Sequence, residues 1–183
     1  MTTFVGQNSL VDTKWLTNEE LAAWVRLVAV LELLPGVLDS QLRRSANLTS
    51  FEYYVLAMLS EAPDRTLRMT ALAAQTNATL PRLSHVVRRL EDRGLVERSP
   101  CAEDGRATNA RLAGAGWQKV QETAPGHVAN VRQHVIDALT PEQLGQLTSI
   151  ADAVLQRLDP TGTMTTMYRR HDALARPADQ VAD

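Results

Sequence analysis

Three segments of this chain share a short grammar that dictates where helices begin. Thr17, Thr49 and Thr140 each follow a leucine (Leu16, Leu48, Leu139). Each precedes a Glu or Gln by three positions (Glu20, Glu52, Gln143), with an apolar residue next after it (Leu21, Tyr53, Leu144). The threonine hydroxyl accepts from an otherwise unpaired backbone N–H of the first turn. The Glu or Gln reaches back to the cap's own N–H, and the flanking apolar pair staples the entry. Pro141 adds the residue best tolerated at the first helical position. Three such starts commit the chain to a mainly helical fold. Composition agrees: aromatics are 4% of 183 residues and glycines number nine, too few for a turn-rich β-sandwich.

From these starts the chain reads in order. The first helix covers about residues 18–44, and Pro35-Gly36 predicts a kink or break near Leu34. The second covers about 50–61 and stops before Pro63. Leu67 is placed in a short strand, a third helix spans about 69–76, and Asn77 supplies a left-handed turn. A fourth helix, about 80–93, starts at the cap Thr79 and ends at Gly94, with Leu95 folding back. Residues 96–98 and 108–112 read as a β-hairpin around Glu103-Asp104-Gly105-Arg106. A fifth helix covers about 114–138 with a disturbance at Pro125-Gly126, and a sixth covers about 141–158. In the tail a short helix is placed around 164–174.

Charge is distributed unevenly. The net charge is −2, yet the stretch from Arg65 to Arg111 holds nine arginines, no lysine and five acids, a local balance of +4. The remaining residues carry ten basic and sixteen acidic groups. A basic segment inside an acidic molecule fits one face that meets phosphates. The fourth helix carries that face. Leu83, Val86, Val87 and Leu90 form one apolar stripe. Pro81, His85, Arg88 and Asp92 lie opposite, flanked by Arg82, Ser84 and Arg89. A helix about 10–12 Å across fits a major groove about 12 Å wide, where arginine contacts guanine in bidentate fashion. The third and fourth helices make a helix-turn-helix with the hairpin as its wing. Arg106 at the tip is placed to reach the neighbouring minor groove.

Other chemistry is poorly supplied. Cys101 stands alone, which excludes an internal disulfide framework. Beside Arg98 in the hairpin it reads as a tolerated free thiol. His85, His127, His134 and His171 lack the spacing of a zinc site. His127 and His134 are expected to face solvent or a partner. No phosphate loop, nucleophile elbow or paired carboxylates stand out, so no enzyme activity, metal or cofactor is expected. Residues 1–12 show no leader pattern, and no run approaches about 20 apolar residues, so neither signal peptide nor membrane span is expected and the cytoplasm is the expected compartment.

The segments Leu48-Thr49, Val55-Leu56, Leu72-Ala73, Leu90-Glu91-Asp92-Arg93-Gly94-Leu95-Val96, Asp104-Gly105-Arg106 and Leu112-Ala113-Gly114-Ala115-Gly116 together resemble the MarR family of bacterial transcription regulators, over about residues 16–158. The resemblance implies a mainly α fold. Its winged helix-turn-helix has a two-stranded β-hairpin wing, between long N- and C-terminal dimerisation helices. The implied division is 16–45 (dimerisation helix), 46–113 (DNA-binding domain), 114–159 (C-terminal dimerisation helices) and 160–183 (tail). The implied partner is double-stranded DNA with an inverted-repeat operator, bound by a homodimer. Burial between two chains also accounts for the stripes Trp24, Leu27, Val28, Leu31, Leu34 and Leu144, Leu147, Ile150, Val154, Leu158.

The candidate DNA-binding residues are Arg68, Thr79, Pro81, Arg82, Ser84, His85, Arg88, Arg89, Arg98, Asp104 and Arg106. Asp104 steadies the wing in this resemblance. A small phenolic or lipophilic effector that releases a repressor would meet Leu38, Tyr53, Tyr54 and Met58, although core packing is the simpler account of each taken singly. The competing function is a winged-helix module that dimerises and binds protein without an operator. The chain departs from the family pattern at Gly105, where a basic residue is often found, and at Ala113, where a capping threonine is common. Pro35-Gly36, Pro81 and His85 are further departures.

Overall fold

The computed structural model describes residues 13–101, 104–170 and 172. The expected absence of a leader in residues 1–12, the wing residue Glu103, and the end of the tail helix at 174 lie outside them. The chain divides into two compact units, residues 1–36 and 37–183.

All three capping boxes are formed. Thr17 Oγ1 accepts from Glu20 N at 3.2 Å while Thr17 N donates to Glu20 Oε2 at 2.7 Å. The reciprocal pairs recur at Thr49/Glu52 and Thr140/Gln143. They open α1 (Asn18–Ala46), α2 (Ser50–Ser60) and α6 (Pro141–Leu158). Between them lie α3 (Met69–Gln75), α4 (Leu80–Asp92) and α5 (Gly114–His134), and the short α7 (Thr165–Tyr168) follows. Strands β1 (Thr66–Arg68), β2 (Val96–Pro100) and β3 (Thr108–Leu112) form one antiparallel sheet in the order β1-β3-β2. The hairpin register pairs Val96 with Leu112 and Pro100 with Thr108. The strand at Leu67 pairs with Ala110 on the other edge of β3.

Two expected interruptions are absent. α1 runs unbroken through Pro35, so the expected break is not found. α5 likewise continues through Pro125 and yields only at Val135, where φ is −131° and ψ −63°. Each proline deletes one backbone hydrogen bond. Both prolines are exposed, so water can satisfy the freed carbonyl, and long helical runs on either side hold the geometry.

In the first unit, helix residues 18–36 leave large apolar side chains in the open. Trp24 is 53% exposed, Leu31 60% and Leu33 70%. α1 is also long and apolar enough to span a membrane by length and composition, which corrects the expectation that no run comes close. Arg26 and Glu32 interrupt that apolar stretch, so no unbroken apolar run marks it in the sequence.

In the second unit the core gathers around α2, α3, α4 and the sheet. Val55, Leu56, Leu59, Leu72, Leu83, Val87, Leu90 and Ala110 are fully buried. α6 behaves oppositely: Leu147, Ile150, Val154 and Leu158 are exposed.

Candidate nucleic-acid interface

The turn into α4 is built as the sequence requires. Asn77 adopts φ 47°, the left-handed conformation, and Ala78 N donates to Ala73 O at 2.9 Å. Thr79 occupies the cap position, but its side chain makes no capping hydrogen bond. Pro81 sits harmlessly in the first turn. At the other end Gly94 takes φ 68°. Its N–H donates to Glu91 O at 2.8 Å and Leu95 N donates to Leu90 O at 2.9 Å, the paired bonds of a Schellman ending. The Leu95 carbonyl in turn accepts from Ala113 N at 3.0 Å, at the start of α5. Gly116 abuts that same carbonyl, and a Cβ there would clash with it and lie 2.7 Å from Leu112 Cδ1.

α4 thus has four distinct sides. Leu83, Val87 and Leu90 are fully buried, and Val86 is half-buried. Pro81, His85, Arg88 and Asp92 point outward and are exposed. One flank faces the wing. Ser84 shares a cleft of about 190 Å³ with Thr70 of α3 and with Arg98 and Arg106 of the hairpin. Arg98 is held there by Glu91, to which its Nε donates at 2.8 Å. The Arg98 guanidinium, first through its hydrogen bond, holds the Glu91 carboxyl below the usual carboxylate range. The other flank faces α2. The Arg82 guanidinium lies 4.4 Å over the Phe51 ring. Arg89 Nη2 lies 3.2 Å from Glu52 Oε1, and Glu52 is 2% exposed.

The wing tip is ordered by Asp104. Its Oδ1 accepts from Arg106 N at 3.1 Å and its carbonyl accepts from Ala107 N at 2.8 Å. Arg106 is exposed. Arg68 is also exposed, at the cap position of α3. Cys101 is buried, and its N–H donates to Ala107 O at 2.8 Å.

The effector candidates point in different directions. The Tyr53 ring packs against His127 at 4.7 Å, and Tyr54 Oη donates to Gln75 O at 3.0 Å. Met58 is buried and Leu38 half-buried. Burial raises both tyrosine hydroxyls above their ordinary pKa. His127 is half-buried rather than solvent-facing, and burial holds its pKa below the usual value. His134, by contrast, is exposed. Among the described residues no group of three His, Cys, Asp or Glu side chains is placed to hold a metal ion.

Residue spacing missed two features. Glu52 was legible as a capping residue, but not as the buried counter-charge of Arg89 and Arg93. Arg43, exposed at the end of α1, is tied to Asp39 and lines a cleft with Arg89 and Arg93. The Arg43-Arg44 pair before Thr49 was the available signal.

This geometry meets known proteins closely. A family model described as MarR family matches residues 46–107. Sco3205 of Streptomyces coelicolor, a MarR family transcriptional regulator solved in complex with DNA, is 44% identical. The match covers 80% of this chain and 95% of that one, with a TM-score of 0.77. The chain belongs to the MarR family. AbsC, a MarR family transcriptional regulator of the same organism, is 38% identical over 80% of this chain and 98% of its own, with a TM-score of 0.76. MepR of S. aureus, solved with DNA, is 20% identical over 78% of this chain and 99% of its own, with a TM-score of 0.65, and shares the fold. This MarR family chain is therefore a transcriptional regulator with a winged helix-turn-helix, its hairpin wing extended to three strands by β1.

Proposed function

We propose that this protein binds a specific double-stranded DNA operator as a homodimer and represses transcription until a small aromatic or lipophilic effector releases it. It acts by binding rather than catalysis, in the cytoplasm. The observation that carries the reading is α4 itself: an underside 0% exposed at Leu83, Val87 and Leu90, and an exposed outer row of Pro81, His85, Arg88 and Asp92. A helix anchored on one side, with Arg88 on its open row and the exposed Arg82 and Arg89 flanking it, is what a major groove accepts.

In this reading His85, Arg88 and Ser84 face base edges. Arg68, Thr79, Pro81, Arg82, Arg89 and Arg98 position the helix, and Arg106, steadied by Asp104, enters the minor groove. Residues 46–113 form the DNA-binding region. Residues 16–45 and 114–159 join the two copies, which accounts for the open apolar faces of α1 and α6. Two α4 helices about 34 Å apart require an inverted repeat. The complex of Sco3205 with DNA supports the choice of partner. Of the effector residues, Tyr53 and Met58 lie in the core, Tyr54 packs against it, and Leu38 is half-buried on α1.

The test is a salt-dependent binding assay on inverted repeats flanking the gene. Arg88→Ala is expected to weaken binding by about 1–3 kcal/mol and relax base preference. Arg106→Ala weakens it without changing the fold. Unchanged affinity in both variants refutes the assigned face, and binding to a protein partner with no DNA affinity favours the interaction-module reading.

A further inference from the structure

The flank of α4 turned away from the wing carries chemistry that the outward row does not explain. Arg82, Arg89 and Arg93 follow one another at seven and four residues, so they share that side. At its lower end Arg43, Asn47, Thr49, Glu52, Arg89 and Arg93 enclose a cleft of about 180 Å³. Arg93 Nη2 donates to Asn47 O at 3.0 Å, which ties α4 to the turn between α1 and α2. That turn is pinned again by Asp39, whose Oδ1 accepts from Ser50 N at 2.8 Å.

The charges are unequal. Glu52 is 2% exposed and faces both guanidiniums, with Arg89 at 3.2 Å and Arg93 at 3.8 Å from its Oε1. That oxygen completes no hydrogen bond among the described residues. Its other oxygen accepts from Thr49 N at 2.8 Å, in the capping box. One carboxylate therefore orients two guanidiniums and neutralises one of them. Arg43, balanced by Asp39, stands exposed at the rim. The cluster is left with a surplus positive charge beside the N-terminus of α2, where backbone N–H groups add positive potential. An anion on the outer side of Arg43 and Arg93 finds donors already oriented, while Glu52 stays behind them as counter-charge.

We propose that this cleft seats a phosphate of the DNA backbone, on the strand opposite the one met by the wing. A helix in the major groove has a sugar-phosphate wall on either side. The wing-side cleft with Arg98 and Arg106 serves one wall, and Arg43, Arg89 and Arg93 serve the other. Glu52 is a positioning residue here. The inference rests on the DNA-binding reading and deepens it, adding Arg43 and Arg93 to the contact surface.

Phosphate contacts are sequence-independent, so the probe is a fluorescein-labelled duplex of arbitrary sequence about three helical turns long, titrated with the full-length protein across a salt series. Arg93→Gln and Arg43→Gln are each expected to flatten the slope of log K against log salt by about 0.9 per subunit, about 1.8 for the proposed homodimer. Arg93→Lys, which keeps the charge, restores the slope. Circular dichroism of each variant checks the fold, and the lysine rescue separates lost charge from lost structure. An unchanged slope in both glutamine variants, while Arg88→Ala and Arg106→Ala still weaken operator binding, overturns the phosphate seat alone. No duplex binding by the wild type overturns both readings. Inorganic phosphate that stabilises the wild type, but not Arg93→Gln, against heat with no slope change identifies a free-anion site and also overturns the proposal.

Discussion

The lobe built from α2, α3, α4 and the sheet closes on itself, whereas α6 and the first unit's part of α1 do not. Eight side chains of the lobe reach full burial, from Val55 to Ala110, yet α6 has no buried residue over 18 positions. Ile150 is 62% exposed and Trp24 53%, though both are large and apolar. Scattered exposed leucines are ordinary, but a repeated stripe along a whole helix is not. One region carries its stability in its own packing. The others leave apolar faces open, which the proposed homodimer would cover.

Three measurements sharpen or break that contrast. The largest effect is expected inside the lobe. Leu90→Ala empties a fully buried site on the underside of α4, and chemical denaturation should show a loss of about 2–5 kcal/mol. A loss below about 0.5 kcal/mol would mean that the lobe is not the closed core described. Next comes the open face. Ile150→Glu removes little packing within one chain, so monomer stability should move by no more than about 0.5 kcal/mol. Sedimentation equilibrium should nonetheless show the dimer dissociating, because two carboxylates would be buried at a shared face. A dimer of unchanged strength would place the interface elsewhere.

The smallest effect concerns the seam of α2 and α5. His127 has a folded pKa below its ordinary value because it is buried against Tyr53. The unfolded chain therefore takes up the proton first. This contribution to stability is full above about pH 6.5 and is lost as pH falls through that value toward the lower folded pKa. His127→Phe keeps the ring and removes the proton site, so its denaturation midpoint should lose less between neutral and mildly acid pH than the wild type's. Parallel curves would remove His127 from the account.

Local grammar was the most readable part of the sequence. Thr17, Thr49, Thr140, Asn77 and Gly94 each act through neighbours within a few residues, and each does in the structure what its position predicts. Proline misled for a complementary reason. Pro35 and Pro125 carry a strong local penalty, but a helix of 29 or 21 residues spreads that cost over many intact turns. Partners distant in sequence were not readable. The exposed row of α4 followed from periodicity, yet nothing in the spacing linked Arg89 to Glu52 across 37 positions, or Arg82 to the ring of Phe51. Nor did the apolar stripe reveal that Gly116 must lack a side chain beside Leu95.

That last contact reaches beyond packing. The carbonyl of Leu95 receives the first N–H leading into α5, lies against the bare Cα of Gly116, and belongs to the residue that closes α4. Two elements, α4 and α5, are thus riveted at one peptide unit. A tilt of α5 is therefore expected to carry the C-terminal end of α4 with it, the two helices sharing a single pivot.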